Sequence, residues 1–366
     1  MKRTPGPLSL RIRVALRLSS PKILALAVAA LSPLTSLAFA QSQNSILPGP
    51  KPPDAPANWK KWIGDYGDGD NAHNIFEKGQ KLWLYEKGVG QWQLQGKAEG
   101  GFVVPADNKS PVMDVGFAKD GSSLALNDVL FSRQSYGVDA NSVARTQPVK
   151  PVEQLRVSAM AAEPPVEKGK FRESDLVELA PLEPSIHLDI RYATSNDFLG
   201  TPVYSQARAF LQRPAAEALL RVQQKLKPLG YGLLIHDAYR PWYVTKIFWD
   251  ATPPEGKIFV ADPAQGSRHN RGCAVDLTLY DLASVKPIEM PGTYDEMSPR
   301  SFPDYPGGTS LQRWHRDLLR RAMESEGFTV YEAEWWHFDF KDWKEYPILN
   351  VPFEKLGLGS GAPAVH

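Results

Sequence analysis

The clearest alternation of apolar and polar positions runs through Ala274-Val275-Asp276-Leu277-Thr278-Leu279-Tyr280. A period of two belongs to a strand, so Val275, Leu277 and Leu279 are predicted on one face and Asp276 and Thr278 on the other. Asp175 to Leu179 and Ile186 to Tyr192 alternate in the same way, while Tyr231 to Ile235 and Phe328 to Tyr331 are apolar runs of strand length. A helical period appears between Pro214 and Lys227, where Ala215, Ala218, Leu219, Val222 and Leu226 share a face. Pro214 stands at its start, where a missing N–H costs nothing. Further helices are predicted from Pro241 to Asp250 and through Leu311, Trp314, Leu318 and Ala322, the latter closed by Gly327. Helices against a small, mostly antiparallel sheet give an α+β domain over residues 171–358.

Upstream the pattern changes. From Trp59 to Tyr136, short apolar runs such as Ile75-Phe76, Leu82-Trp83-Leu84-Tyr85 and Val112 to Phe117 are divided by Gly, Asp, Asn and Pro. That is an antiparallel meander of about six strands, a small all-β accessory domain over 58–136. Asp65, Asp68 and Asp70 lack the spacing and terminal Glu of a calcium loop and read as a solvated turn. Proline density makes 41–57 an extended linker. Residues 137–170 offer few runs that could pack and read as a mobile linker, and 359–366 as a disordered tail. Residues 1–40 have a basic start, an apolar stretch from Ile23 to Leu31 and a small-x-small ending, Ala38-Phe39-Ala40. These are the marks of a signal peptide, so the protein is expected to be exported, periplasmic or otherwise extracytoplasmic. The apolar stretch is too short for a permanent membrane span.

Composition narrows the partners. With 42 basic and 41 acidic residues the net charge is +1, without the concentrated basic surface that nucleic acid requires. The single cysteine, Cys273, excludes an intramolecular disulfide and reads as a small packed residue rather than a metal ligand.

The candidate chemistry lies in Ser267-Arg268-His269-Asn270-Arg271-Gly272-Cys273-Ala274-Val275-Asp276 and in Glu334-Trp335-Trp336-His337. Two imidazoles, one carboxylate ligand and one spare carboxylate make a catalytic zinc site with a general base beside it. On one continuous helix His269 and Asp276 would stand about 10.5 Å apart along the axis, too far to share an ion. Gly272 must therefore break the chain, leaving His269 on a loop folded over the strand that bears Asp276. Glu334 and His337, three apart, would point to opposite faces of a flat strand, so a turn is predicted between them. Taken singly, a histidine beside a strand is usually a packed or solvent-facing residue. The joint occurrence of Ser-x-His-x6-Asp and Glu-x-x-His makes the metal reading the stronger one. Arg240, at a strand-to-helix junction, is placed to project into the cleft and stabilise an oxyanion; its bland alternative is an ion pair with Asp237.

These motifs, with His236-Asp237-Ala238-Tyr239-Arg240-Pro241 upstream, resemble the D-alanyl-D-alanine dipeptidases of the M15 peptidase family, the vancomycin-resistance type of zinc dipeptidase. The resemblance spans roughly 171–358. It implies one Zn²⁺ per chain held by His269, Asp276 and His337, Glu334 as general base, and Arg240 at the oxyanion. It also implies that Asp295 binds the substrate ammonium, a role for which the neighbouring Glu296 is the alternative, and that Ser267 touches substrate. The stretch between Arg240 and His269 is shorter than in vancomycin-resistance members, a departure at the pocket rim. The expected reaction is hydrolysis of D-Ala-D-Ala in the cell envelope. The alternatives are a D,D-carboxypeptidase or peptidoglycan peptidase acting on longer chains, and a cell-wall-binding protein that uses its β domain and holds a structural zinc.

Overall fold

The computed structural model describes residues 46–106, 112–138 and 143–357. The expected signal peptide and the tail at 359–366 lie outside the described residues. From Ile46 onward the chain forms one compact unit.

Among the described residues the β-rich region holds nine strands in two antiparallel meanders. The first is β1 (Gly64–Tyr66), β2 (His73–Glu77), β3 (Leu82–Glu86) and β4 (Gly90–Gln93). The second is β5 (Gln95–Gly96), β6 (Phe102–Val104), β7 (Met113–Phe117), β8 (Ser123–Leu126) and β9 (Val129–Ser132). Tyr66, Ile75, Leu84, Val104, Val115 and Leu124 from both sheets share a core. The meander follows the predicted pattern, with more and shorter strands. Asp68 and Asp70 are exposed as expected, but Asp65 is not in a solvated turn. It sits in β1, buried, because a partner far along the chain satisfies it.

The segment expected to be a mobile linker contains helix α1 (Val152–Met160), which buries Val152, Leu155 and Ala159 in the peptidase-side core. Three apolar residues at helical spacing suffice once a neighbouring surface is present. The proline-rich arm before the β region is extended but docked: Ile46 is buried, and the Trp314 indole N–H donates to the Gly49 carbonyl at 3.0 Å.

The rest of the chain is α+β. Strands β10 (Leu176–Glu178) and β12 (Phe210–Gln212) pair with each other, flanking β11 (His187–Leu188) in sequence. Helix α2 (Arg213–Leu226) presents the predicted apolar face to the core. After it come β13 (Tyr231–Asp237), helix α3 (Trp242–Ala251), β14 (Ala274–Asp281), β15 (Lys286–Pro287), helix α4 (Ser310–Glu324), β16 (Phe328–Tyr331) and β17 (Glu334–Phe340). The main sheet runs β11-β13-β14-β17-β16, with β15 on the edge of β14; only β11 and β13 are parallel. Ile186 to Tyr192 yields only two strand residues, then turns through Arg191–Ala193. Val275, Leu277 and Leu279 face the core as the alternation required. A capping box starts α4, Thr309 Oγ1 accepting from the Gln312 N–H and Gln312 Oε1 from the Thr309 N–H. Among the described residues no helix is long and apolar enough to cross a membrane.

The turn expected between Glu334 and His337 does not form. Both lie in β17, and the strand bulges instead: Val330 pairs with Phe338, but the next residue, Tyr331, pairs with Glu334. The extra residues buckle the strand and re-aim its side chains, which is what a bulge does beside an active site.

Candidate active site

Three neighbouring strands bring the chemistry together. Asp276 on β14 pairs across the sheet with His337 on β17 and with Asp237 on β13. His269 sits on the turn His269–Arg271 and is returned over Asp276 by Gly272, whose φ is +67°. The positive φ is what requires glycine there; a Cβ would also meet Leu176 Cδ2 at 2.4 Å, a side-chain tip that would have to shift. The predicted break is thus real.

Second partners fix both imidazoles. His269 Nδ1 donates to the Ala238 carbonyl at 2.6 Å, leaving Nε2 to face Asp276 Oδ1 at 3.3 Å. His337 Nε2 lies 2.9 Å from Asp339 Oδ1, leaving Nδ1 to face Asp276 Oδ1 at 3.1 Å and His269 Nε2 at 3.1 Å. All three residues are buried, and Asp276 Oδ1 receives no hydrogen bond. Two ligands about 2.0–2.1 Å from a tetrahedral ion stand about 3.3 Å apart, which is the separation found here. Two nitrogens and a carboxylate oxygen are also the donor set that zinc takes. The residues therefore fit a divalent cation.

The charges agree. Burial would raise the Asp276 carboxyl, but the adjacent His269 and His337 imidazoles hold it well below the usual range. Burial would lower His337, yet Asp339 and Asp276 push it up to about 10, so this point in the pocket calls for positive charge. Burial pushes Glu334 up to about 7, His337 opposing and Asp276 reinforcing. Its carboxylate stands 3.7 Å from His337 Nδ1, close to the three donors without being one of them.

Arg240 makes the ion pair of its bland reading and still reaches the site. Its Nε donates to Asp237 Oδ2 at 2.9 Å, and Nη2 is 3.7 Å from Asp276 Oδ2. The guanidinium lies over the rings of Phe248 and Tyr192, which orient it. Ser267 is buried, its Oγ accepting from the His269 N–H at 3.2 Å. Asp295 accepts from the Tyr192 hydroxyl at 3.0 Å, and its other oxygen has no hydrogen-bond partner. Burial, then the charges of Asp276 and Glu334, raises its carboxyl far above the ordinary value. Arg240, Ser267, His269, Asp276, Asp295, Glu334 and His337 all line one cavity of about 100 Å³.

A family model described as D-ala-D-ala dipeptidase, peptidase M15, matches residues 172–354. The chain belongs to this M15 family. Curated relatives called D-alanyl-D-alanine dipeptidase include one from Escherichia coli, 35% identical over 180 residues, which are 49% of this chain and 92% of the relative. Another, from Enterococcus faecalis, is 34% identical over 186 residues, covering 46% of this chain and 92% of the relative. A third, from Streptomyces coelicolor, is 33% identical over 186 residues with the same two coverages. M15 peptidases are metallopeptidases, in keeping with the donor set.

Several residues of this M15 peptidase site were not singled out from sequence. Asp339 is two residues beyond His337 on the same strand, so strand periodicity alone could have placed it on the same face. The Tyr294 hydroxyl lies 3.1 Å from Asp276 Oδ2 and 2.9 Å from the Tyr192 hydroxyl, joining the Asp276 side of the pocket to the Asp295 side. Asn270 donates to the Arg240 carbonyl and accepts from the Ser267 N–H, tying the two motifs together. Neither had a local signal. A larger cavity of about 610 Å³ lies behind the site. Tyr294 and Glu296 face it, while Asp295 and Met297 face the site. His269, Asp276 and His337, the group that could hold a metal, line the smaller cavity.

Proposed function

We propose that this M15 peptidase is a zinc dipeptidase that hydrolyses D-alanyl-D-alanine. The convergence of His269, Asp276 and His337 on one point, with Glu334 3.7 Å from His337 Nδ1 and outside that group, carries the reading. Bound there, Zn²⁺ supplies Lewis acidity that makes water nucleophilic near neutral pH. Glu334, raised to about 7, accepts the proton of the attacking water and delivers it to the leaving amine. Arg240, held by Asp237, faces the carbonyl oxygen and favours the negative charge that grows as the carbon becomes tetrahedral. Ser267 fixes the His269 backbone and contributes to the substrate wall.

Substrate length is argued from Asp295. A half-buried carboxyl whose unsatisfied oxygen is shielded from solvent, and whose proton affinity is raised, accepts a cationic ligand at little cost, since the cation replaces the proton. A dipeptide brings such a cation in its free ammonium; a longer chain brings a neutral amide there. The leader-like residues 1–40 support placing the reaction in the cell envelope.

The test is hydrolysis of free D-Ala-D-Ala and of a muramyl pentapeptide, each with and without chelator. Chelator-sensitive cleavage of the dipeptide is expected, with little on the pentapeptide. Cleavage of the pentapeptide alone makes the protein a D,D-carboxypeptidase, and zinc binding without hydrolysis of either makes the metal structural.

A further inference from the structure

The segment between β15 and α4 carries Asp295 and forms the partition between the two cavities. It is irregular for most of its length, and Asp295 holds a left-handed φ of +58°, unfavourable for a side chain with a Cβ. Something must hold it. Inside the segment, Glu296 is fully buried and accepts from the Thr293 N–H at 3.0 Å and from Arg300 Nε at 2.5 Å. The peptidase side holds the segment through Tyr192 at Asp295 and through Arg316 Nη1, which donates to the Tyr305 carbonyl at 2.8 Å. A further set of anchors comes from the β region, which lies outside the family match.

Asp65 and Asn74 are directly opposed on β1 and β2, and together they present a polar face to Tyr305. The Tyr305 hydroxyl donates to Asp65 Oδ2 at 2.8 Å and accepts from Asn74 Nδ2 at 2.8 Å; Asn74 also donates to Asp65 Oδ1 at 2.7 Å. The triangle is buried, where a hydrogen bond to a charged group is worth most and an unmade one costs most. Arg300, after reaching Glu296, lays its guanidinium 5.2 Å from the ring centroid of Tyr136. At the far end, Glu77 of β2 accepts from the Ser310 N–H at 2.7 Å, placing a carboxylate at the start of α4. The Glu77 carbonyl accepts from Arg313 at 2.7 Å.

We propose that the β region is a built-in buttress for the substrate-binding loop, with Asp65, Tyr305 and the Tyr136–Arg300 cation–ring contact as positioning residues that set where Asp295 stands. It rests on the proposed dipeptidase reading only in naming what Asp295 binds. None of these residues lines the catalytic cavity, so they act on substrate affinity through the loop and leave the metal and Glu334 alone.

Two variants test this in the full chain. Tyr305→Phe removes only the bridging hydroxyl, and Arg300→Lys keeps the charge beside Glu296 but loses the guanidinium that lies over the Tyr136 ring. For each, KM for D-Ala-D-Ala is expected to rise about tenfold, the scale of one lost charge-assisted hydrogen bond, with kcat within about twofold and zinc content unchanged. Hydrogen exchange should quicken across 291–309 and stay the same in β14 and β17. Unchanged KM and exchange in both variants overturns the proposal, as does a joint loss of kcat and zinc, which would mean general loosening of the fold. The exchange readout needs no substrate. It decides the buttress even if the wild-type protein fails to cleave the dipeptide, a failure that would count against the proposed reaction alone.

Discussion

The metal side and the substrate side of this site are built by different means. Asp276 and His337 are neighbours in a sheet, so backbone pairing fixes their separation, and Asp339 fixes the ring that reaches between them. Asp295 hangs on an irregular segment held by side-chain bonds, several of them from a region that the M15 match does not include. Metal chemistry tolerates little error in ligand position, and a sheet supplies that precision from its own ladder. Substrate reading tolerates variation, and loops on a rigid scaffold are where it is found. Changes to the first side should therefore destroy turnover, while changes to the second should shift affinity.

The largest effect is expected from His337→Ala. It removes one donor of three and leaves Asp276 and Asp339 facing each other without a cation, so zinc content measured after dialysis should fall below about half an ion per chain, and activity with it. A variant that keeps stoichiometric zinc and normal turnover breaks the metal side of the comparison. Glu334→Gln comes next. The amide keeps shape and leaves the three donors intact but cannot accept the proton, so kcat should drop about 10²–10⁴-fold at unchanged zinc content. Loss of zinc in this variant would make Glu334 a ligand and the assignment of its role wrong.

How much of this could be read in the sequence follows the same division. The ligands and Glu334 stood out because the chemistry-bearing residues were packed into two short motifs beside strongly alternating runs, and a strand's period is local information. The bulge in β17 was not legible: whether one partner residue faces one neighbour or several is decided by β16, and the sequence of β17 alone gives only the flat-strand expectation. Asp65 was misread for a related reason. Its environment is set by Tyr305, 240 residues away, and nothing near Asp65 announces a buried partner. Residues 152–160 read as linker in the sequence because proline and charge on both sides outweigh a short apolar face that matters only once α3 lies against it.

Asp339→Asn sharpens the metal side by separating position from ligation. The amide preserves size but weakens the hold on His337 Nε2, and such outer partners typically matter by about 10–100-fold in metal affinity. Competition with a chromophoric chelator reads this directly, without substrate. Affinity equal to wild type would mean that the sheet alone aims the His337 ring.

The smallest effect is expected where the N-terminal arm meets the peptidase core, and it is one of stability. Lys51 Nζ donates to the Tyr231 hydroxyl at 2.7 Å, and that hydroxyl lies 2.9 Å from His315 Nε2, so the chain of bonds is complete only with Nε2 unprotonated. Burial, reinforced by the Lys51 charge, lowers His315 to about 4 from an ordinary value of about 6.5. The unfolded chain therefore binds the proton more readily. The stability contributed by the neutral ring is fully present above pH ~6.5 and is lost as pH falls toward 4, amounting to about 1–2 kcal/mol at pH 5. Urea midpoints at pH 7 and pH 5 should differ accordingly in wild type, and the difference should shrink in His315→Gln, which cannot titrate. Equal pH sensitivity in the two proteins would move the acid response to another group and leave the arm a passive strap. The effect belongs to the stability of the fold and should leave KM at neutral pH untouched, in contrast to the shift expected from Tyr305→Phe.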